Sequence, residues 1–304
     1  MRSLLTLLLL WGCGSCRGER PGSQTPESTA EANASEGPEG PAPLRRVGVV
    51  RGRVRLAEGA ELPMYPPEAL AGGGPMAELP AECAGVDPEA GRRPVTLEEG
   101  GLENVMVTAT GDQERFFAAL GTWEPQEREV RIRACRLQPP LVTATRGDTL
   151  VLSNESDYPF MIAVGRTSFM EGLLKGTPRR IALDRGGVQA IRCGFAAPCG
   201  RTDVVVVYHP VHTVTEAGGR FELEVPADQE VELHAWHPLF RDASVTVSVP
   251  RGERREVELV LTPNEAALGE AASSSQEEPA TPAGEAGPSS GEPGTQAQPS
   301  RAPF

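Results

Sequence analysis

The 304 residues leave room for about two domains. A hydrophobic content of 39%, with 34 glycines and 29 prolines, is too low for the whole chain to pack a core. Asp and Glu number 42 against 29 Lys and Arg, a formal charge of -13, and aromatics make up 5%. Nucleic acid is thereby excluded as the default partner, because neither phosphate neutralisation nor base stacking is provided for.

The chain begins Met1-Arg2-Ser3, followed by an apolar run from Leu4 to Trp11. That run is far shorter than the roughly 20 residues a helix needs to span a bilayer, so residues 1–12 read as a secretory signal. Leu10-Trp11-Gly12-Cys13 resembles a bacterial lipobox, with Cys16 as the alternative acceptor. The resemblance implies cleavage before Cys13, acylation of its thiol and amine (palmitate among the chains), and a lipid anchor in the cell envelope. Several acyl chains hold firmly where one holds marginally. Gly14 after Cys13 lacks the aspartate that signals inner-membrane retention, which favours the outer membrane. Residues 13–45 are rich in Gly, Pro, Ser and Glu and read as a disordered tether. Four further cysteines, Cys83, Cys135, Cys193 and Cys199, form no zinc-type CxxC pair. In an oxidising compartment they are expected to form disulfides, with three connectivities open.

Strand signals then follow in order. Val47 to Leu56 alternates valine with glycine and arginine. Ala57 to Glu99 is rich in Pro and Gly and is expected to be an irregular loop pinned by Cys83. Further strands are expected at Leu102–Ala109, Glu129–Ala134, Asp148–Ser153, Phe160–Val164, Arg179–Leu183, Val188–Cys193 and Asp203–Tyr208. Gly218-Gly219, between Thr213–Thr215 and Phe221–Val225, reads as a hairpin turn. Glu230–Trp236, Ala243–Val249 and Glu256–Leu261 complete the series. No amphipathic helix stands out. Residues 263–304 form an acidic tail, expected to be disordered. The fold class is all-β.

Gly101-Leu102-Glu103-Asn104-Val105-Met106-Val107, Cys135-Arg136-Leu137-Gln138-Pro139, Thr145-Arg146-Gly147-Asp148 through Asn154, and Asp203 to His209-Pro210 together resemble secreted cupredoxin-like proteins of the plastocyanin and methylamine-utilisation type. Thr215-Glu216-Ala217-Gly218-Gly219-Arg220-Phe221 through Trp236-His237 is similar to the carboxypeptidase-regulatory, transthyretin-like sandwich. The order implies a regulatory-like β-sandwich whose first strands and long loop occupy 46–128 and whose remainder occupies 210–262. A cupredoxin-like Greek-key domain, 129–209, lies between them. Two sandwiches in series are the alternative.

The cupredoxin resemblance implies a copper site of two imidazoles, a thiolate and a weak axial thioether. Cys193 stands at the thiolate's place. However, Asn154 to Met161 holds no histidine, Cys193 to Cys199 holds none, and all four histidines lie at or beyond position 209. The ligand set is degenerate and no cofactor is expected. The same resemblance then suggests a Cys193–Cys199 disulfide across the former ligand loop, and Cys83 with Cys135. The alternative is a periplasmic copper or electron-transfer protein using Cys193 with His209 or His212 and Met161 or Met170. His209/His212 and His234/His237 sit three apart, on opposite faces of an extended strand, and read as structural. Carboxylates read as scattered over solvent faces, and neither a nucleophile elbow nor a phosphate loop occurs. The expectation is a non-enzymatic, lipid-anchored binding or structural module for carbohydrate or an envelope protein.

Overall fold

The computed structural model describes residues 46–70, 81–83, 85–165, 170–193 and 199–265. Cys13, Cys16, the signal, the tether and nearly all of the acidic tail lie outside them. The regular structure of the described residues is predominantly β-strand.

The chain opens with β1 (Val47–Leu56), in which buried Val50 and Val54 face away from exposed Arg51 and Arg55. The Pro-rich stretch after it is less irregular than its composition suggests, for it contains 3-10 turns at Pro67–Ala69, Ala81–Cys83 and Pro88–Arg92. Pro67 and Pro88 each open a turn, where the ring's fixed φ fits and its missing N–H costs nothing. Next come β2 (Thr96–Glu98), β3 (Gly101–Glu103) and β4 (Met106–Gly111). Helix α1 (Gln113–Leu120) follows, capped by the Asp112 carboxylate accepting the Arg115 N–H at 3.0 Å. It was not expected, because Phe116 is its one buried residue and leaves no apolar stripe to read.

The middle of the chain supplies β5 (Glu127–Arg133), β6 (Arg136–Gln138), β7 (Leu141–Thr145), β8 (Thr149–Asn154), β9 (Phe160–Val164), β10 (Met170–Leu173), β11 (Arg179–Ala182), β12 (Gly187–Cys193) and β13 (Arg201–Val207). The last part gives β14 (His212–Val214), β15 (Arg220–Pro226), β16 (Glu230–Trp236), β17 (Phe240–Arg241), β18 (Ala243–Ser248) and β19 (Arg254–Pro263).

Pairing crosses the middle segment. β1 lies antiparallel to β15 and parallel to β19, while β4 lies between β14 and β16. One sheet runs β17-β19-β1-β3-β2 with β15 also on β1, and its partner runs β14-β4-β16-β18. Val54, Leu102, Val107, Phe116, Leu233 and Leu261 belong to the core they share. The middle strands make two sheets of their own, β10-β9-β12-β13-β7 and β11-β8-β5-β6. Their separate core includes Ile132, Leu150, Phe160, Ile191, Val204 and Val206.

The expected hairpin at Gly218-Gly219 is not one. β14 pairs with β4 in one sheet and β15 with β1 in the other, so the chain crosses between sheets as an arch. Both glycines have positive φ, and a Cβ on Gly219 would sit 2.2 Å from the Val54 carbonyl oxygen. A hairpin and an arch both call for positive φ, so the Gly-Gly pair alone does not distinguish them.

β13 is buried on both faces, which explains its run of valines. Val204 and Val206 enter the middle core, whereas Val205 and Val207 pack with Met106 of β4 and Leu141 of β7, flanked by Val214 and Trp236. Residues two apart on a strand share a face, so Arg201 and Asp203 belong with Val205 and Val207.

Candidate functional site

Cys193 ends β12, and its sulfur is joined to Cys199; Cys83 is joined to Cys135. All four are buried. At the place where the cupredoxin resemblance puts the first imidazole, the loop is held by Asn154. Its amide donates to the carbonyls of Tyr158 and Leu173 at 2.8 and 2.9 Å, and its oxygen accepts the Ser156 N–H at 2.9 Å. These residues do not fit a copper ion: the thiolate is consumed by a disulfide, and the loop that follows Asn154 offers no histidine.

The rearranged set fits no better. Gly187 of β12 lies opposite Val206 of β13, and Arg192 lies opposite Arg201. Cys193 is therefore at one end of this pair and His209 and His212 beyond the other, with a seven-residue strand of about 20 Å between them. Met161 is on the Cys193 side, since Cys193 lies opposite Ile162; the Met170 side chain is outside the described residues. Among the described residues no group of three or more His, Cys, Asp or Glu side chains is arranged for a metal.

Each histidine has its own place. His209 and His237 repeat one device: each precedes a proline, and its Nδ1 accepts the backbone N–H two residues on, Val211 at 3.3 Å and Leu239 at 3.2 Å. The ring proton then sits on Nε2. Burial lowers both side chains to about 4. The His209 ring stands edge-on to Phe116, with centroids 5.2 Å apart. His212, 3.0 Å from Thr145 Oγ1, is likewise lowered to about 4, by burial first and then by Arg128. His234 lies 3.0 Å from Thr110 Oγ1 and 3.3 Å from Asp242.

Two carboxylates, expected on solvent faces like the rest, are instead buried. Asp148 is 1% exposed and accepts from the Gln126 and Thr145 backbone N–H groups and from Arg128 Nε, at 2.8, 2.9 and 2.8 Å. These donors hold its carboxyl below the usual range although burial works in the opposite direction. Asp203, fully buried, accepts from Arg201 Nε at 3.0 Å and Nη2 at 2.7 Å, and from the Tyr65 hydroxyl.

Tyr65 comes from the Pro-rich stretch and lies under the Arg201 guanidinium, whose carbon is 4.4 Å from the ring centroid. Burial first, and then Asp203, raises the Tyr65 phenol well above its ordinary value, so it remains a neutral donor. The Asp203 carboxylate keeps Arg201 charged against the cost of its burial. The His237 ring is 6.4 Å from Tyr65, and its buried Nε2 has no hydrogen-bond partner among the described residues. None of this grouping was expected from the sequence. Of its members, Arg201 lines an open cleft of about 570 Å3.

One wall of that cleft is the 90–96 segment with Arg93. The other comprises Glu129 and Arg131 of β5, Arg136 of β6, and Cys199-Gly200. The two-residue turn between β5 and β6 is Ala134-Cys135, both with positive φ, the type that matches strand twist. Cys135 thereby points its sulfur to Cys83 and ties the Pro-rich stretch to the hairpin.

No family model matches the chain, and no curated protein matches it. Among solved structures the chain is similar to a copper-containing nitrite reductase from Thermus scotoductus, at 20% identity over 30% of this chain and 24% of that one, with a TM-score of 0.25. This chain thus spans about a quarter of that reductase's length. It is similar to a purple cupredoxin from Nitrosopumilus maritimus, at 18% identity over 28% of this chain and 100% of that one, with a TM-score of 0.23. It is also similar to a reduced amicyanin variant, at 21% identity over 33% of this chain and 99% of that one, with a TM-score of 0.25.

Proposed function

We propose that this chain is a lipid-anchored binding module of the cell envelope and not an enzyme. A cupredoxin-like sandwich is nested in a carboxypeptidase-regulatory-like one, and the copper site has given way to a disulfide. The observation that carries the reading is the Cys193–Cys199 bond, which occupies the thiol a cupredoxin would give to copper. The strand pairing across residues 127–207 supports nesting over a serial arrangement. Cys13 supplies the anchor, and residues 13–45 hold the sandwiches away from the membrane, where they meet carbohydrate or another envelope protein. Asp148, Asp203 and Tyr65 have structural partners, and the proline-flanked histidines each use Nδ1 to hold a backbone N–H, which supports binding over catalysis.

The test is to add Cu(II) to the purified full chain, remove excess metal, and record copper content and visible absorption before and after disulfide reduction. The oxidised protein is expected to stay colourless and to retain no stoichiometric copper. A one-to-one complex with an intense thiolate-to-copper band in the oxidised protein overturns the reading.

A further inference from the structure

We infer that the cleft between the 90–96 segment and the β5–β6 hairpin binds a small molecule carrying two or more oxyanion groups, carboxylate or phosphate. The inference rests on the binding-module reading and gives it a ligand class.

Arg93, Arg131, Arg136 and Arg201 line the cleft, against Glu103 and Glu129, in a chain whose formal charge is -13. Two of the four are already neutralised. Arg201 is held by Asp203 at 2.7 Å, and Arg131 by Glu129 at 2.6 Å with Glu155 at 3.7 Å. The other two differ. Arg136 Nη2 donates to the Asp87 carbonyl oxygen at 2.7 Å, and Arg93 Nε donates to Met64 Sδ at 3.1 Å. Neither forms an ion pair with a carboxylate among the described residues.

A neutral acceptor orients a guanidinium without cancelling its charge. Each keeps N–H groups for a ligand, and the planar fork matches carboxylate and phosphate geometry. Glu103 is the one lining carboxylate without an ion pair among the described residues, so the cleft keeps a net positive charge. Such a charge beside a low-dielectric wall concentrates small anions locally even when the chain's net charge is opposite.

The walls are fixed before any ligand arrives. The Cys83–Cys135 bond ties the Pro-rich stretch to the hairpin that carries Arg136. Asp87 also caps the Pro88–Arg92 turn by accepting the Glu89 N–H at 2.9 Å, and Arg92 Nε donates to the Tyr65 carbonyl at 2.8 Å. A preordered site loses less conformational freedom on binding. At about 570 Å3 the cleft falls within the roughly 300–1,000 Å3 of small-molecule sites.

The experiment is calorimetric titration of the full chain at low ionic strength with citrate, with pyrophosphate, and with glucose as an uncharged control. Saturable one-to-one binding of citrate, pyrophosphate or both is expected, weakened by added sodium chloride, with no heat from glucose. Preference between the two anions separates carboxylate from phosphate recognition. Arg93→Gln, at an exposed position, and Arg136→Gln should each raise Kd about tenfold while the thermal transition of Arg93→Gln stays at the wild-type temperature. Arg136→Lys keeps the charge, loses the fork, and should fall between. No saturable heat from either anion, or affinities unchanged in Arg93→Gln, overturns the inference. A coloured copper complex overturns the reading beneath it, whereas a colourless protein indifferent to both anions overturns this inference alone.

Discussion

Tyr65 and Asp203 stand 138 positions apart in the chain, yet the Tyr65 hydroxyl donates to the Asp203 carboxylate in the interior. The bond joins the Pro-rich stretch to β13, and Arg201 completes the carboxylate's partners from the same face of the strand. Tyr65→Phe removes one hydrogen bond to a charged acceptor while Arg201 remains, and should cost about 1.5–3 kcal/mol. Asp203→Ala leaves the Arg201 charge buried without its partner and should cost about 3–5 kcal/mol. Urea unfolding of the two variants checks both the magnitudes and their order. Tyr65→Phe keeps the ring, so a larger loss in that variant would mean that the hydroxyl, not the Arg201 pair, is the partner of Asp203 that holds this junction.

The two disulfides should contribute unequally. Cys83 and Cys135 are 52 positions apart and Cys193 and Cys199 are 6 apart. Loop entropy alone then assigns about 4 kcal/mol to the first and about 2 kcal/mol to the second. The paired variants Cys83→Ser/Cys135→Ser and Cys193→Ser/Cys199→Ser, unfolded in urea, should show losses in that order. Because the first bond also fixes a wall of the arginine-lined cleft, its loss should weaken anion binding as well as stability.

Most strands were legible because one face of each is polar. β5 alternates buried Val130 and Ile132 with exposed Arg131 and Arg133, and β8 and β15 alternate in the same way. β7 was missed because Leu141 to Thr145 are all buried, so no period of two exists to be read. β6 was missed because it is three residues long and its hairpin turn, Ala134-Cys135, contains no glycine or asparagine. The missing copper ligands were visible as plain absences of histidine, a one-dimensional fact. The arginine-lined cleft was not. Arg93, Arg136 and Arg201 are spread over more than a hundred positions, and each alone resembles an ordinary surface cation. Only the strand pairing and the Cys83–Cys135 bond bring them to one place.

The anchor reading makes its own prediction. If Cys13 is the acylated residue, Cys13→Ser should move the protein from the membrane fraction to the soluble fraction and abolish incorporation of labelled palmitate, while Cys16→Ser changes neither. The reason is energetic: each buried methylene contributes about 0.8 kcal/mol, so losing every chain at once removes the membrane affinity. The reverse pattern would assign the anchor to Cys16. Cofractionation of Cys13→Ser with membranes, still labelled, would sink the anchor at that position.

The buried histidines set the response to acid. His237 is fully buried and lowered to about 4, from the 6.5 expected when unfolded. Between those values the unfolded chain takes up a proton that the folded chain does not. Its contribution is therefore fully present above about pH 6.5 and is lost as pH falls toward 4, at up to about 1.4 kcal/mol per pH unit. His209 and His212, lowered to about 4 as well, act in the same direction over the same window. Asp148 is a separate case: its depressed carboxyl gives up stability only at lower pH, below about 4 where the unfolded carboxyl begins to protonate. Denaturation midpoints measured from pH 7.5 to 4.5, a range chosen to bracket the roughly 6.5 of an unfolded histidine, should fall steadily below pH 6.5. His237→Asn can still accept the Leu239 N–H through its amide oxygen but cannot titrate. Whatever stability it loses at neutral pH, its midpoint should fall less steeply with acid than that of the wild type. Parallel curves for the two proteins would show that His237 does not couple folding to protons.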